Sequence, residues 1–218
     1  MNIRTLRCEW LPASTPSTKL VVVLHGRGDS SAGFRWLPEA LGLDVNYLLV
    51  NAPDPYYGGH SWYDLPPHQR PGVERSRALL DGLFAEIARG GFAPGDTALL
   101  GFSQGCLMTL EWGGRSAVPL AAYVGVSGYC LDPEALAGEL SEQARRPVWL
   151  ITHGTEDEVL PFTHVEPLMA RLREGGLPMR FVAYAKGHSF APEELEEVRR
   201  FLAERLGLGG SDRPTSGA

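Results

Sequence analysis

The chain has few cysteines, no long apolar run and no excess of basic residues. Its three cysteines, Cys8, Cys106 and Cys130, lack the spacing of zinc or redox motifs, and we interpret them as reduced, mostly buried side chains. No apolar stretch reaches the roughly 18 residues that span a bilayer. The first 20 residues also lack the apolar core of a signal peptide. We therefore expect a cytoplasmic protein without a disulfide framework.

Acidic residues outnumber basic ones. The 20 lysines and arginines and the 26 aspartates and glutamates give a formal net charge of −6 and a pI near 5.5. A protein that neutralises phosphates over a broad surface carries the opposite sign, so we expect no nucleic-acid partner. The lack of a polybasic patch likewise argues against stable membrane association.

The overall composition is that of a soluble globular protein. The 218 residues are 44 % hydrophobic and 21 % charged, which excludes disordered, collagen-like and coiled-coil classes. Because an α/β domain commonly has about 200 to 250 residues, we predict a single domain over residues 1–206. The Gly/Ser/Pro-rich segment 207–218 is predicted to be a disordered tail.

Short apolar runs alternate with helix-like segments along the chain. The runs lie at residues 20–24, 47–50, 98–100, 123–126, 148–151 and 180–184. They are apolar without alternation, which is typical of strands buried on both faces by helices. The segment 3–10 alternates and is predicted to be an antiparallel edge strand. The pattern predicts an α/β fold with a mostly parallel central sheet and helices on both faces.

Helical periodicity is clear at 73–89 and in a last helix that begins at Pro192 and stops near Gly207. The segment 51–72 has no such periodicity, and it contains five prolines and three glycines. A loop of this length in a compact domain is usually functional. The alternative is a surface excursion whose aromatic residues cover the edge of the sheet.

The motif GFSQG at residues 101–105 follows a predicted strand and precedes a helix predicted to begin near Gln104. Taken alone, G-x-S-x-G also fits an ordinary turn. Between a strand and a helix it is typical of a nucleophile elbow, in which a serine occupies a strained turn. Ser103 would then lie at the carboxyl end of a parallel sheet, where open α/β folds place their sites. We predict Ser103 as a nucleophile.

A serine hydroxyl needs a histidine to take its proton and a carboxylate to orient that histidine. In this fold the three residues follow one another as Ser, Asp or Glu, and His. His188 lies in a glycine-flanked loop after the last strand, and we predict it as the base. His164 is the alternative, and we interpret it as an exposed residue at the start of a helix.

Three adjacent carboxylates follow the strand near residue 150, and Asp157 precedes the apolar residues that would anchor the turn. We predict Asp157 as the acid of the triad. Glu156 and Glu158 are expected to be solvated. Asp132 is a weaker alternative, since Pro133 follows it and it fits the N-cap of a helix.

An oxyanion formed during attack on a carbonyl needs backbone N–H donors in place beforehand. Gln104, directly after the serine, is predicted to supply one of them at the start of a helix. The loop HGRGD at 25–29 is predicted to supply the other, through the N–H of Arg27. The alternative for this loop is a plain glycine-rich turn.

Together these motifs resemble the phospholipase/carboxylesterase group of α/β-hydrolases, which includes the acyl-protein thioesterases. The resemblance covers residues 19–206 and rests on LHGRGD at 24–29, SWYD at 61–64, GFSQG at 101–105, SGY at 127–129, HGTED at 153–157 and GHS at 187–189. It implies a compact hydrolase without a cap domain. The triad positions of the family match Ser103, Asp157 and His188, and its oxyanion donors match Arg27 and Gln104. It also allows a homodimer.

Three features depart from the family pattern. The position of Arg27 is usually apolar in the family, and its guanidinium is expected to pair with Asp29 or to face a negative group of the substrate. Cys106 stands where a glycine is common, which is expected to crowd the helix packing. The loop 60–72 is unlike that of thioesterases acting on lipidated proteins, which argues against a protein substrate.

We therefore expect a hydrolase of soluble, short-chain carboxylic esters, or of thioesters, that needs no cofactor or metal. Five residues are predicted to line the acyl pocket, with plain packing as their alternative: Trp62, Tyr63, Tyr129, Leu160 and Phe162. A non-catalytic binding protein on the same scaffold remains open, although it would usually have lost a triad residue. A serine peptidase also remains open, although it would normally carry an extra domain.

Overall fold

The apolar runs form one seven-stranded sheet in a computed structural model that describes residues 3–209. Its strands are β1 (Cys8–Leu11), β2 (Leu20–Leu24), β3 (Asn46–Val50), β6 (Thr97–Phe102), β7 (Ala122–Val126), β8 (Trp149–Gly154) and β9 (Met179–Tyr184). Their order across the sheet is β1-β3-β2-β6-β7-β8-β9. Only β1 is antiparallel to its neighbour, and the other pairs are parallel. The α/β-hydrolase fold predicted from the sequence is confirmed.

Helices cover both faces of this sheet. They are α1 (Leu37–Leu41), α2 (Gln69–Arg89), α3 (Gln104–Arg115), α4 (Pro133–Gly138), α5 (Phe162–Glu174) and α6 (Pro192–Arg205). The apolar sides of α1 and α6 pack on one face. Those of the other four helices pack on the opposite face. Since β2, β3 and β7 are fully buried, their continuous apolar sequences follow from cover on both faces.

Aromatic stacking reinforces the core under α2 and α3. The rings of Phe84 and Trp112 stack with centroids 4.0 Å apart, and those of Tyr123 and Trp149 stack at 4.0 Å. Each indole N–H has an acceptor: Trp112 Nε1 donates to an Asp81 carboxylate oxygen at 2.8 Å, and Trp149 Nε1 donates to a backbone carbonyl at 2.9 Å. Large rings are therefore buried here without an unpaired donor.

Two predicted boundaries are wrong. The edge strand predicted at 3–10 is confined to Cys8–Leu11, because the N–H groups of Arg4 and Thr5 donate to the Glu86 carboxylate at 3.0 and 3.1 Å instead. The helix predicted to begin at residue 73 begins at Gln69. Pro71, which suggested a loop, lies in the first turn of that helix, where a missing N–H costs no hydrogen bond.

The segment 51–72 contains more regular structure than its composition suggested. A hairpin of β4 (Asp54–Tyr56) and β5 (Gly59–Ser61) precedes the first turn of α2. In the described part of the chain no helix is both long and apolar enough to cross a membrane. The predicted tail begins at Gly207, which adopts a left-handed φ of +67° after α6, and its residues from 210 onward lie outside the described residues.

A close backbone contact joins α3 to the sheet. A Cβ atom added to Gly105 would lie 2.1 Å from the carbonyl oxygen of Leu24, and one added to Gly101 would lie 2.1 Å from the carbonyl oxygen of Gly105. Both distances are far below a van der Waals contact. The first turn of α3 therefore approaches β2 and β6 only because these two positions are glycines.

We expect Gly105→Ala to lower the free energy of unfolding by about 1–3 kcal/mol, the usual cost of overpacking. Gly138→Ala is the matched control, because an added Cβ there has no neighbour within 4 Å. Urea denaturation of both variants gives the comparison. Equal stability of the two variants would show that the contact at Gly105 imposes no constraint.

Candidate active site

Ser103 lies between β6 and α3 in a strained backbone conformation. Its φ of 54° and ψ of −114° are unusual for a residue with a side chain. The backbone N–H of Ser103 donates to the carbonyl of Val126 at 2.9 Å, which ties the turn to the neighbouring strand β7. The serine side chain is partly exposed at the carboxyl edge of the sheet. The sharp turn that the motif predicts is present.

A chain of hydrogen bonds connects the three residues predicted as a triad. His188 Nε2 lies 2.9 Å from Ser103 Oγ, and His188 Nδ1 lies 2.7 Å from Asp157 Oδ2. The three residues follow β6, β8 and β9, whose carboxyl ends meet at one edge of the sheet. Parallel strands thus bring together residues that are up to 85 positions apart in the sequence.

The carboxylate of Asp157 is held by its own turn. Its Oδ1 accepts the N–H groups of Val159 and Leu160 at 2.9 and 2.8 Å, and the residue is 4 % exposed. Burial alone would raise the pKa of Asp157, but the Leu160 and His188 hydrogen bonds outweigh it and lower the pKa below its ordinary value. The acid is therefore ionised and can orient His188 through one oxygen while the other anchors the turn.

The alternative residues lie elsewhere. Glu156 and Glu158 are exposed, and His164 is exposed in the first turn of α5. The Asp132 carboxylate accepts the N–H of Ala135 at 3.0 Å and caps α4. Of the carboxylates considered, Asp157 is the one hydrogen-bonded to His188.

Gln104 uses its side chain to hold the segment after the β4–β5 hairpin. Its Oε1 accepts the N–H of Trp62 at 2.9 Å, and its Nε2 donates to the carbonyl of Tyr63 at 2.8 Å. Gln104 is the first residue of α3, where a helix has no intrahelical acceptor for its N–H groups. Its backbone N–H follows Ser103 directly in the chain, and its use as an oxyanion donor stays a prediction.

The loop that carries Arg27 is paired with the hairpin. The N–H of Gly28 donates to the carbonyl of His60, and the N–H of His60 donates to the carbonyl of Asp29, both at 2.8 Å. A Cβ atom added to Gly59 would lie 2.1 Å from the Gly28 carbonyl oxygen, so the approach requires a glycine. Residues 59 and 60 of the segment 51–72 thus support this loop, and a functional role of the segment stays a prediction.

The Arg27 guanidinium lies over the ring of Tyr56, 4.2 Å from its centroid. The pairing considered with Asp29 is not observed: Asp29 Oδ1 instead accepts the N–H of Ser30 at 2.7 Å. A planar guanidinium stacks well on an aromatic ring, and at this position it stiffens the contact between loop and hairpin.

His25 is a buried residue of this loop whose role was not predicted from the sequence. Its Nδ1 lies 2.6 Å from the carbonyl of Gly26, and its Nε2 accepts the N–H of Ala52 at 3.0 Å. These partners assign the proton to Nδ1. Burial lowers the pKa of His25, so the ring stays neutral. Its position directly before Gly26 in HGRGD was the available signal.

Cys106 is accommodated by glycines on the adjoining segments. A Cβ atom added to Gly125 would lie 2.6 Å from Cys106 Sγ, and one added to Gly128 would lie 2.4 Å from Cys106 Cβ. The absence of side chains at these two glycines thus leaves space for Cys106 and relieves the expected crowding. Burial raises the pKa of the Cys106 thiol to about 12, so it is an unreactive packing residue. Cys8, Cys106 and Cys130 are all free thiols.

The residues predicted to line the acyl pocket are buried to different degrees. Trp62 is fully buried and Tyr63 is 2 % exposed. Tyr129, Leu160 and Phe162 are partly exposed. Trp62 and Tyr63 support the site through hydrogen bonds with Gln104 and His25. A direct contact of any of the five predicted residues with substrate stays a prediction.

A buried ion pair anchors the loop of His188. Lys186 Nζ lies 2.8 Å from Glu194 Oε1 at the start of α6. The same ammonium donates to Ser127 Oγ at 2.9 Å and to the carbonyl of Ser189 at 2.6 Å. Burial lowers the pKa of Lys186, and the contact with Glu194 opposes that change. Neither residue was predicted, since a lysine and a glutamate in a sequence are usually solvated.

We expect Lys186→Met to lower the free energy of unfolding by about 3–5 kcal/mol, because the Glu194 charge would be left buried and unpaired. The double variant Lys186→Met/Glu194→Gln is expected to recover most of this loss. A neutral amide still accepts the Ala191 N–H that Glu194 binds at 3.2 Å. Urea denaturation measures both. A double variant no more stable than the single one would contradict the pairing.

We also expect a pH dependence of stability from Asp157. Because the pKa of this carboxyl is lowered in the folded state from 3.8, the unfolded chain binds more protons at acidic pH. The stabilisation contributed by the ionised Asp157 is therefore fully present above the pKa of the unfolded chain. It is lost as the pH falls through the lower pKa of the folded state. The difference in unfolding free energy between wild type and Asp157→Asn should be constant near neutral pH, begin to shrink below about pH 5 and keep shrinking as the pH falls below 3.8. The exposed Glu158→Gln serves as control, and a constant difference would refute the assignment.

Among residues 3–209, no group of three or more histidine, cysteine, aspartate or glutamate side chains is placed to hold a metal ion. The site consists of a serine, a histidine and a buried carboxylate at the edge of a parallel sheet. A nucleophile elbow on this fold defines the class of serine hydrolases with an α/β-hydrolase fold.

Comparison with known proteins agrees with that class. The model of the phospholipase/carboxylesterase family matches residues 11–206, and the chain belongs to this family. The acyl-protein thioesterase 1 of Aspergillus fumigatus is 29 % identical over 216 residues, which cover 88 % of this chain and 90 % of the relative. The protein is thus a hydrolase of the serine esterase and thioesterase class.

Solved structures of esterases share the fold of this chain. The crystal structure of esterase PE8 matches with a TM-score of 0.81 and 32 % identity, over 92 % of this chain and 99 % of that one. The carboxylesterase of Bacillus cereus matches with a TM-score of 0.78 at 16 % identity, over 92 % and 94 % of the two chains, which shows the shared fold alone.

Proposed function

We propose that the protein hydrolyses soluble, short-chain carboxylic esters in two steps through an acyl-enzyme on Ser103. The observation that carries the proposal is the hydrogen-bonded chain of Asp157, His188 and Ser103, with distances of 2.7 and 2.9 Å. The relatives and the family support the reaction class, and the hydrogen bonds support the residue roles.

In the first step the Oγ of Ser103 attacks the ester carbonyl while its proton passes to His188 Nε2. The carbonyl oxygen becomes an oxyanion, which accepts the N–H groups of Arg27 and Gln104. The tetrahedral intermediate then collapses: the bond from carbon to the alcohol oxygen breaks, and His188 gives its proton to that oxygen. Asp157 holds the imidazole in the correct tautomer and stabilises its charged form.

In the second step water replaces the alcohol. His188 takes a proton from the water, whose oxygen attacks the acyl carbon, and a second oxyanion forms on the same two donors. Its collapse breaks the bond to Ser103 Oγ, which recovers a proton from His188, and the carboxylic acid leaves. Removal of one preorganised oxyanion donor typically raises the activation barrier by about 2.7–4 kcal/mol.

A thioester is the second candidate substrate. The relatives named acyl-protein thioesterases favour it, and the same steps apply with sulfur as the leaving atom. The loop 60–72 and the net charge of −6 favour small soluble substrates over acylated protein at an anionic membrane.

We expect Ser103→Ala to reduce kcat/KM for p-nitrophenyl esters by at least about 10⁴-fold, because the nucleophile is removed. A series of acyl lengths with the wild type locates the preferred chain, and matched S-acyl thioesters measure the thioester candidate. A fluorophosphonate probe followed by mass spectrometry should give one adduct on Ser103. An active Ser103→Ala variant, or an adduct elsewhere, would overturn the mechanism.

A further inference from the structure

Four aromatic rings form a cluster beside His188. The ring of Phe102 lies 5.1 Å from the His188 ring and 5.1 Å from that of Phe190. Phe190 meets Trp36 edge to face at 5.3 Å, and Phe34 lies 6.1 Å from Phe102. Phe102 directly precedes Ser103, so this cluster is continuous with the proposed reaction centre.

The cluster opens into a surface groove of about 350 Å³. Its walls include Asp29, Trp36, Phe102, Ser189, Phe190 and Leu195. Trp36 is 41 % exposed, although a ring of this size usually lies in a core or at a binding site. A concave apolar surface with a few polar groups beside a reactive centre is the usual form of a substrate subsite.

The groove lies on a different face of the sheet from the predicted acyl pocket. Phe34 belongs to the apolar core under α1 and α6, and Phe102 and Phe190 pack against that core. Tyr129 and Leu160 pack against the core on the opposite face. Ser103 and His188 lie at the edge between the two faces, so an ester bound there can extend its acyl part and its alcohol part in opposite directions.

One charged group in the groove and one buried near it limit the chemistry of an occupant. The Asp29 carboxylate contributes negative charge, which disfavours an anionic group. Lys186 Nζ lies 6.0 Å from the Phe190 ring, but its charge is paired with Glu194 in the interior. The remaining surface is mainly aromatic, so it suits a neutral aromatic group.

We infer that this groove holds the leaving group of the substrate, in the form of a neutral aromatic alcohol. This inference rests on the proposed function, since His188 must reach the leaving oxygen to protonate it. The groove begins at Phe102, which contacts the His188 ring, and Ser189 adjoins His188 in the chain. An alcohol departing from the acyl carbon toward His188 therefore meets the aromatic cluster first.

The test varies the alcohol at a constant acyl group. Ethyl, benzyl and 2-naphthylmethyl acetates have alkoxide leaving groups of similar reactivity. Any remaining difference in intrinsic reactivity cancels when the variant and the wild type are compared on the same ester. We expect Trp36→Ala to reduce kcat/KM for the two aromatic esters about tenfold relative to ethyl acetate. Trp36→Phe should restore most of the preference. Val148→Ala is the control, since Val148 is 38 % exposed next to the amino end of β8.

The rate of deacylation distinguishes the two halves of the substrate. Acetyl-enzyme formed from any of the three esters is the same species, so Trp36→Ala should leave its hydrolysis rate unchanged. Equal losses for ethyl and aromatic esters, or slower deacylation with an altered acyl-length preference, would overturn the inference. Ser103→Ala is measured in parallel: activity close to that of the wild type there overturns the proposed function. An inactive Ser103→Ala together with an unchanged alcohol preference in Trp36→Ala overturns this inference alone.

Discussion

The close approach of α3 to β2 and β6 is the constraint on which the site depends. With glycines at 101 and 105, the backbone of the helix touches the carbonyl of Leu24 and the strand turns sharply into the helix. That turn forces Ser103 to a φ of 54°. The same geometry places the N-terminal N–H groups of α3 beside the serine hydroxyl. The proposed nucleophile and the proposed oxyanion donor are thus both positioned by one backbone contact.

The hairpin segment extends this constraint to the loop of Arg27, which carries the second proposed donor. Gln104 binds residues 61–63 through its side chain, and the hairpin binds Gly28 and Asp29 through backbone hydrogen bonds. The loop of Arg27 is therefore connected to the first residue of α3 through β4 and β5. This connection fixes the relative positions of the two proposed donors, and an oxyanion hole requires donors that need no rearrangement during reaction.

Buried polar groups hold the other side of the site. Lys186, Glu194 and Ser127 form a paired cluster behind His188, and the Asp157 carboxylate is satisfied by its own turn and by His188. A charge removed from water is tolerated only with such partners. The cost of leaving any of them unpaired favours a single arrangement of the loops that follow β7, β8 and β9.

Sequence alone determined the fold class, the strands of the sheet and the candidate triad, because buried parallel strands, the G-x-S-x-G turn and the order Ser, Asp, His are local or ordered signals. It could not distinguish Pro71 in a first helical turn from Pro71 in a loop, since both conformations satisfy proline. Nor did it reveal the structural roles of His25 and Lys186 or the exposed position of the Trp36 ring. Those roles depend on which surfaces folding brings together: burial made the lysine and the histidine structural, and incomplete burial left Trp36 at a groove beside His188. Motifs and periodicity are properties of the sequence, whereas burial and side-chain pairing arise only when the strands and helices pack together.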